Sequence, residues 1–98
     1  MKPIVFLPRA RDDLKEIVRY YEKQREGLGC EFRLALQNVC LSIRRTPQAF
    51  SYDVVTETRK YVMQRFPYLV HFLEEENEIT VIAIAHERRR PGFWLDGT

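Results

Sequence analysis

The segment ITVIAIA at residues 79–85 is apolar at six of its seven positions. Because successive side chains of a strand point to opposite faces, such a segment is apolar on both faces. Strands of this kind are normally covered on both sides, so we expect an interior strand of a sheet. One face is predicted to carry Ile79, Val81, Ala83 and Ala85, and the other Thr80, Ile82 and Ile84.

The sequence after this strand, HERRRPGFW at residues 86–94, changes abruptly to a histidine, three consecutive arginines and two aromatic residues. Arginine and tryptophan are frequent anchors of protein interfaces. We therefore expect the strand to present a cationic, aromatic segment at one edge of the sheet, and residues 92–98 to form a tail. The predicted target-binding residues are Arg88, Arg89, Arg90, Phe93 and Trp94.

Length and composition predict one domain over residues 1–98, in the cytoplasm. The net charge of +2 is too small for a polycation that binds nucleic acid without sequence preference. No segment approaches the roughly 18 apolar residues of a membrane span. Cys30 and Cys40 would lie about 15 Å apart along one helix, too far for a disulfide. The sequence has no metal-ligand cluster and no phosphate-binding loop, so no cofactor is expected.

Two amphipathic stripes predict a helical hairpin in the first half of the chain. The first stripe predicts a helix over residues 9–24, and Gly27, Leu28 and Gly29 are expected to end it and turn the chain. The second helix should end at Thr46, because the residue before a proline is pushed out of the α region. The apolar positions are Ala10, Leu14, Ile17, Val18 and Tyr21 in the first stripe, and Phe32, Ala35, Leu36, Val39, Cys40 and Ile43 in the second.

One strand is predicted before the hairpin and three after it. Residues 3–7 fit a short first strand, and residues 48–57 a loop. Residues 58–65 alternate as a half-exposed strand, residues 68–73 form a buried strand, and residues 79–85 return beside it. The predicted fold class is α+β: an N-terminal strand, an antiparallel helical hairpin and a three-stranded antiparallel meander, with the helices on one face of the sheet.

The turn between the last two strands sets their register. A tight turn would place Leu73 opposite Ile79. Registers in which the two strands are shifted by one or two residues remain alternatives. In that register Arg65, Tyr68 and His86 fall at the same end of the sheet.

These segments, in this order, resemble the ParE/RelE superfamily of bacterial toxins from type II toxin–antitoxin systems over about residues 4–91. The resemblance is carried by LPRARDDL at residues 7–14, RFPYLV at residues 65–70 and VIAIAHERRRP at residues 81–91. It implies a small growth-inhibiting toxin that a cognate antitoxin neutralises in a toxin–antitoxin hetero-oligomer. The second helix adds Phe32, Leu36, Ile43 and Pro47 at the family's spacing.

The superfamily implies two alternative activities. RelE-like members cut mRNA on the ribosome, whereas ParE-like members inhibit DNA gyrase. RelE-like nucleases resemble one another in placing basic residues on the second strand, an arginine at the start of the third and another after the fourth, and a late tyrosine or histidine. Here the third strand begins with Tyr68, and Phe93 and Trp94, which cannot transfer a proton, stand where a late tyrosine would fall. These gaps favour the ParE-like activity.

The ribosome-dependent nuclease remains an alternative, because cleavage by 2′-hydroxyl attack needs a base, a cation and an acid. Histidine is the side chain best suited to general acid or base catalysis near neutral pH, so the candidate catalytic set is His86 with Arg65, Tyr68 and Arg89. His71, which alternates with two leucines, is interpreted as a packed strand residue. A third alternative is a non-toxic relative that retains only antitoxin binding.

Overall fold

The structure is a computed structural model, which describes residues 1–90 and Gly92. The described residues form an α+β fold, as predicted, with both helices packed against one mixed sheet. The elements are β1 (Ile4–Phe6), α1 (Pro8–Gln24), α2 (Leu28–Arg45), a 3-10 turn (Pro47–Ala49), β2 (Tyr52–Asp53), β3 (Thr58–Val62), β4 (Tyr68–Glu74) and β5 (Ile79–His86).

The sheet has the strand order β1-β5-β4-β3-β2. β1 is parallel to β5, and the remaining neighbours are antiparallel, which confirms the meander β3-β4-β5. β5 therefore lies inside the sheet, as its two apolar faces predict. β2 falls within the predicted loop, where Tyr52 pairs with Arg59 and Asp53 with Thr58. Two residues are too few to show the alternation by which a strand is recognised in a sequence.

A β-bulge in β5 contradicts the predicted faces of this strand. Phe72 is paired with Val81 but its neighbour His71 with Ala83, so Ile82 is an extra residue without a partner on β4. The bulge reverses the alternation beyond it. Ile79 and Val81 face the helices with Ile84, whereas Ala83 and Ala85 are buried outside that core.

The register at the β4–β5 turn also differs from the prediction. Leu73 pairs with Thr80 and Glu74 with Ile79, one residue away from the expected alignment. Beyond the bulge Tyr68 pairs with His86. Both residues therefore lie at the same end of the sheet, as expected.

The core forms where the apolar stripes of both helices meet the sheet, in agreement with the predicted periodicity. Phe32 and Phe72 have no exposed surface, and burial of a side chain of this size contributes about 1.5–3 kcal/mol. Tyr21 of α1 stacks on Phe32 with ring centroids 5.7 Å apart and meets Phe66 edge-on at 5.0 Å. This aromatic cluster joins both helices to the β3–β4 turn.

The turn between the helices differs from the prediction in one respect: Gly29 lies inside α2, which begins at Leu28. Gly27 has a φ of 89°, a left-handed conformation that favours glycine. The Glu22 carboxylate accepts hydrogen bonds from the backbone N–H groups of Gly27 and Gly29, each at 3.0 Å. These bonds satisfy N–H groups at the start of α2, which have no partner within the helix.

Gly29 also allows α2 to approach α1 closely. A Cβ atom at this position would lie 2.8 Å from the carbonyl oxygen of Val18 and 3.0 Å from the Glu22 carboxylate. Because one of these atoms is backbone, a side chain at residue 29 would push the helices apart. The cysteines do not form a disulfide, as expected: Cys30 is exposed and Cys40 is half-buried.

We predict that Gly29→Ala lowers the free energy of unfolding by about 1–3 kcal/mol, the range for overpacked sites. The sign is diagnostic, because the same change in an uncrowded helix interior raises stability by about 1 kcal/mol. Urea denaturation measures the difference in the free energy of unfolding between Gly29→Ala and wild type. Gly27→Ala is the comparison, since its Cβ meets nothing within 4 Å and reports only the left-handed backbone. A Gly29→Ala protein as stable as the wild type would contradict the close approach.

Candidate functional site

A cleft of about 450 Å³ lies between α1 and the adjoining ends of β4 and β5. Its walls combine carboxylates, tyrosine rings, a histidine and an arginine, and it is open to solvent. Ile17, Gln24, Pro67, Ile84 and Ala85 line it together with Asp13, Glu16, Tyr20, Tyr21, Tyr68, His86 and Arg89.

Tyr68 and His86 are partners in the sheet register and face each other at one end of this cleft. Their ring centroids are 5.4 Å apart and the rings are nearly perpendicular. Burial, and then the neighbouring Tyr21 hydroxyl, raise the pKa of Tyr68 to about 12. Tyr68 is therefore a neutral hydroxyl at physiological pH, able to donate a hydrogen bond but a poor source of a base.

The His86 ring is oriented by the backbone that follows it. The N–H of Arg88 donates to His86 Nδ1 at 3.1 Å. A neutral histidine whose Nδ1 accepts a hydrogen bond carries its own proton on Nε2. In this arrangement Nε2 donates a hydrogen bond, and the ring takes up a second proton at Nδ1 only if the bond from the N–H of Arg88 is given up.

Asp13 brings negative charge into the cleft. Its Oδ2 atom accepts a hydrogen bond from the N–H of Ile84 at 3.0 Å, beyond the point where β1 ends beside β5. Burial raises the pKa of the Asp13 carboxyl, although this backbone bond and the nearby Arg9 and Arg89 counteract the rise. With Glu16 also present, the cleft carries two carboxylates against the guanidinium of Arg89.

Arg65 is held outside the cleft. Its guanidinium forms an ion pair with Glu31 of α2, which also binds Arg25, and it lies 4.9 Å from the ring centroid of Phe66. Hydrogen bonds from Arg25 and then Arg65 lower the pKa of Glu31. Of the four candidate nuclease residues, the structure brings Tyr68, His86 and Arg89 together and places Arg65 against α2.

The predicted arginine segment leaves the sheet through a turn. The N–H of Glu87 donates to the Pro67 carbonyl at 2.9 Å, and that of Arg89 to the His86 carbonyl at 2.9 Å. Arg88, Arg89 and Arg90 are all exposed. Arg89 lines the cleft, and with Arg90 it also lines a small hollow on the opposite face of the sheet. Phe93 and Trp94 lie outside the described residues.

The α1 side of the cleft was not predicted from the sequence. Asp13, Glu16, Tyr20 and Tyr21 all fall within the predicted first helix, where only Tyr21 belongs to the apolar stripe. Their spacing of three or four residues does place them on neighbouring turns. What was missing was the bulge that turns Ile84 and His86 toward this face of α1.

His71 lies on the face of the sheet away from the helices and is 2 % exposed. Its Nδ1 atom hydrogen-bonds the Thr58 hydroxyl at 3.2 Å, and Thr58 is in turn bonded to the Thr56 hydroxyl at 2.8 Å. Burial, and then the charge of Lys60, lower the pKa of His71 to about 4. This buried, bonded ring agrees with its interpretation as a packed strand residue.

The lowered pKa of His71 predicts a dependence of stability on pH. Unfolded histidine titrates near 6.5, so between pH 6.5 and about 4 the unfolded chain binds a proton that the folded chain does not. The stabilisation is present above pH 6.5 and is lost as the pH falls toward 4, by roughly 3 kcal/mol in total. Urea denaturation from pH 7.5 to 5 should show wild type losing more stability than His71→Gln. Parallel profiles for wild type and His71→Gln would contradict the prediction.

Comparison with known proteins identifies the class of protein to which this arrangement belongs. The strand, the helical hairpin and the meander agree with the fold that the resemblance implies. A family model described as the ParE toxin of type II toxin–antitoxin system, parDE, matches residues 4–91. The chain therefore belongs to the ParE toxin family.

A solved structure shares the fold. A chain from the structure described as the chromosomal ParDE TA system from P. aeruginosa superimposes with a TM-score of 0.65. The match covers 88% of this chain and 96% of that chain, with 19% sequence identity. No curated protein matches the sequence. Within the described residues, neither helix is long and apolar enough to cross a membrane.

Proposed function

We propose that this chain is the toxin of a type II toxin–antitoxin pair, that it inhibits DNA gyrase in the cytoplasm, and that a cognate antitoxin neutralises it in a hetero-oligomer. Membership of the ParE toxin family supports the first part. The observation that favours gyrase over RNA is the chemistry of the cleft. Tyr68, His86 and Arg89 lie together there, but Arg65 is held outside by Glu31 and two carboxylates share the cleft with Arg89.

Cleavage of RNA by 2′-hydroxyl attack requires a proton acceptor, a proton donor and a cation beside the phosphate. Tyr68, with its raised pKa, is a poor acceptor. His86 uses Nδ1 to accept the N–H of Arg88, and Arg65 is paired with Glu31. Asp13 and Glu16 would repel a phosphate that approached Arg89. The arrangement therefore supports a binding protein better than a nuclease.

Target binding is assigned to the arginine segment after β5. Exposed arginines next to a rigid sheet end can form bidentate hydrogen bonds with carboxylates of a protein partner. Arg88 and Arg90 are exposed at this edge, and Arg89 lies where the segment meets the cleft. Phe93 and Trp94 complete the proposed contact on the grounds of their sequence alone.

The supercoiling reaction tests this function. Purified gyrase, relaxed plasmid and ATP are mixed with the toxin after its release from the antitoxin. We expect wild-type protein to inhibit supercoiling or to trap linear DNA. The double variant Arg88→Ala, Arg89→Ala and the single variant Trp94→Ala should each weaken inhibition at least tenfold, because interface anchors commonly contribute this much or more. His86→Gln should inhibit as wild type does.

Arg45→Ala is the matched control, because Arg45 is an exposed arginine in the last turn of α2, away from the cleft. Circular dichroism before each assay establishes that the variants are folded. Unaffected gyrase would overturn the proposal. Translating ribosomes with a defined mRNA are then the next assay, in which His86→Gln and Arg65→Ala should reduce cleavage by about 10²–10⁴-fold if the protein is a nuclease. Inactivity in both assays would indicate a non-toxic relative.

A further inference from the structure

The cleft between α1 and the ends of β4 and β5 has an aromatic wall. Four rings follow one another along it, those of Tyr20, Tyr21, Tyr68 and His86. Successive ring centroids are 5.4, 6.2 and 5.4 Å apart, and each ring meets the next edge-on. Tyr20 is 57% exposed, so its ring can be reached from solvent. Because the faces of aromatic rings carry partial negative charge, a cavity with this wall favours a cation.

Two carboxylates line the same cleft, and they differ in what they already bind. Asp13 accepts the N–H of Ile84 at 3.0 Å, and Arg9 lies near enough to lower the pKa of its carboxyl. Glu16 is exposed, and within residues 1–90 its carboxylate forms neither a hydrogen bond nor an ion pair. Glu16 is therefore the anionic group of the cleft that is available to a ligand.

The available carboxylate and the accessible ring lie next to each other on α1. Glu16, Tyr20 and Gln24 are spaced by four residues, which places them on successive turns about 6 Å apart along the helix axis. All three line the cleft. The amide oxygen of Gln24 can accept a further hydrogen bond from an N–H group. This edge of the cleft thus combines an ion-pair partner, an aromatic face and a neutral acceptor.

Other kinds of ligand suit the cleft less well. An anion would meet the carboxylates of Asp13 and Glu16 and could pair only with Arg89. An apolar group would remove water from these charges without replacing its hydrogen bonds. Among cations, a guanidinium is planar, so it can stack on a tyrosine ring and form two parallel hydrogen bonds with a carboxylate. The volume of about 450 Å³ is sufficient for a long side chain to enter.

We propose that the cleft is a cation-binding site that takes the side chain of an arginine from the target protein, gyrase, with its guanidinium against the Tyr20 ring and the Glu16 carboxylate. This assignment rests on the proposed function, which supplies gyrase as the partner. Arg89 lines the cleft and belongs to the arginine segment, so the two contacts adjoin. The complementary surface of the partner therefore carries an arginine beside its carboxylates, and this reciprocal pattern of charge orients the complex.

The first experiment needs no gyrase. The isotope-labelled full chain is titrated with N-acetyl-arginine methylamide, and its amide chemical shifts are followed by NMR. We expect shifts at residues 16–24 and 84–86, weaker binding of the blocked lysine, and no binding of the blocked glutamine, which has no charge. Glu16→Gln and Tyr20→Leu should each lower the affinity for the blocked arginine about threefold. Tyr20→Phe keeps the ring and should bind as wild type does.

The second experiment is the supercoiling assay with the same variants. Glu16→Gln and Tyr20→Leu should each weaken inhibition of gyrase about tenfold, whereas Tyr20→Phe should restore it to the wild-type level. Asp12→Asn and Tyr52→Leu are the matched controls, because they make equivalent changes at exposed residues outside the lining of the cleft. Both controls should inhibit within about twofold of wild type.

Absence of shifts with the blocked arginine, or equal shifts with the blocked glutamine, would overturn the cation site. Tighter binding of the blocked lysine would overturn the choice of a guanidinium. Binding of the blocked arginine together with unchanged inhibition by Glu16→Gln and Tyr20→Leu would overturn the contact with gyrase. A failure of the proposed function is distinct from these results. If wild type does not inhibit gyrase, gyrase is removed as the source of the arginine, while the titration still decides whether the cleft binds the cation.

Discussion

The bulge at Ile82 is the constraint on which the rest of the site depends. β5 has to pair with β1 and β4 and also to cover the core beneath the helices. In a regular strand Ile79 and Val81 would share a face with Ala83, and Ile84 would lie on the opposite face. The extra residue reverses this relationship, so that Ile84 extends the core and His86 reaches the cleft. Bulges are common beside functional sites because they re-aim side chains without breaking the sheet.

The bulge also marks a limit of what could be predicted from the sequence. The helices follow from their periodic apolar positions, and β5 from a segment that is apolar on both faces. A bulge leaves no such signature, since every residue of ITVIAIA suits a strand in either alignment. Arg65 shows a second limit: the end of the sheet was predicted correctly, but the ion pair with Glu31 brings together residues 34 positions apart. Side-chain partners at that separation are not encoded in local spacing.

The cleft lies in a polar gap that the fold leaves beside its core. β1 ends before β5 does, so the N–H of Ile84 has no strand beside it and is bonded by Asp13 instead. Satisfying a backbone group in this way draws a carboxylate into a partly buried position, which raises its pKa. The acidity of the cleft is therefore a consequence of how α1 completes the sheet. The shifted pKa values in the cleft follow from this structural role. They are therefore not by themselves a sign of catalysis.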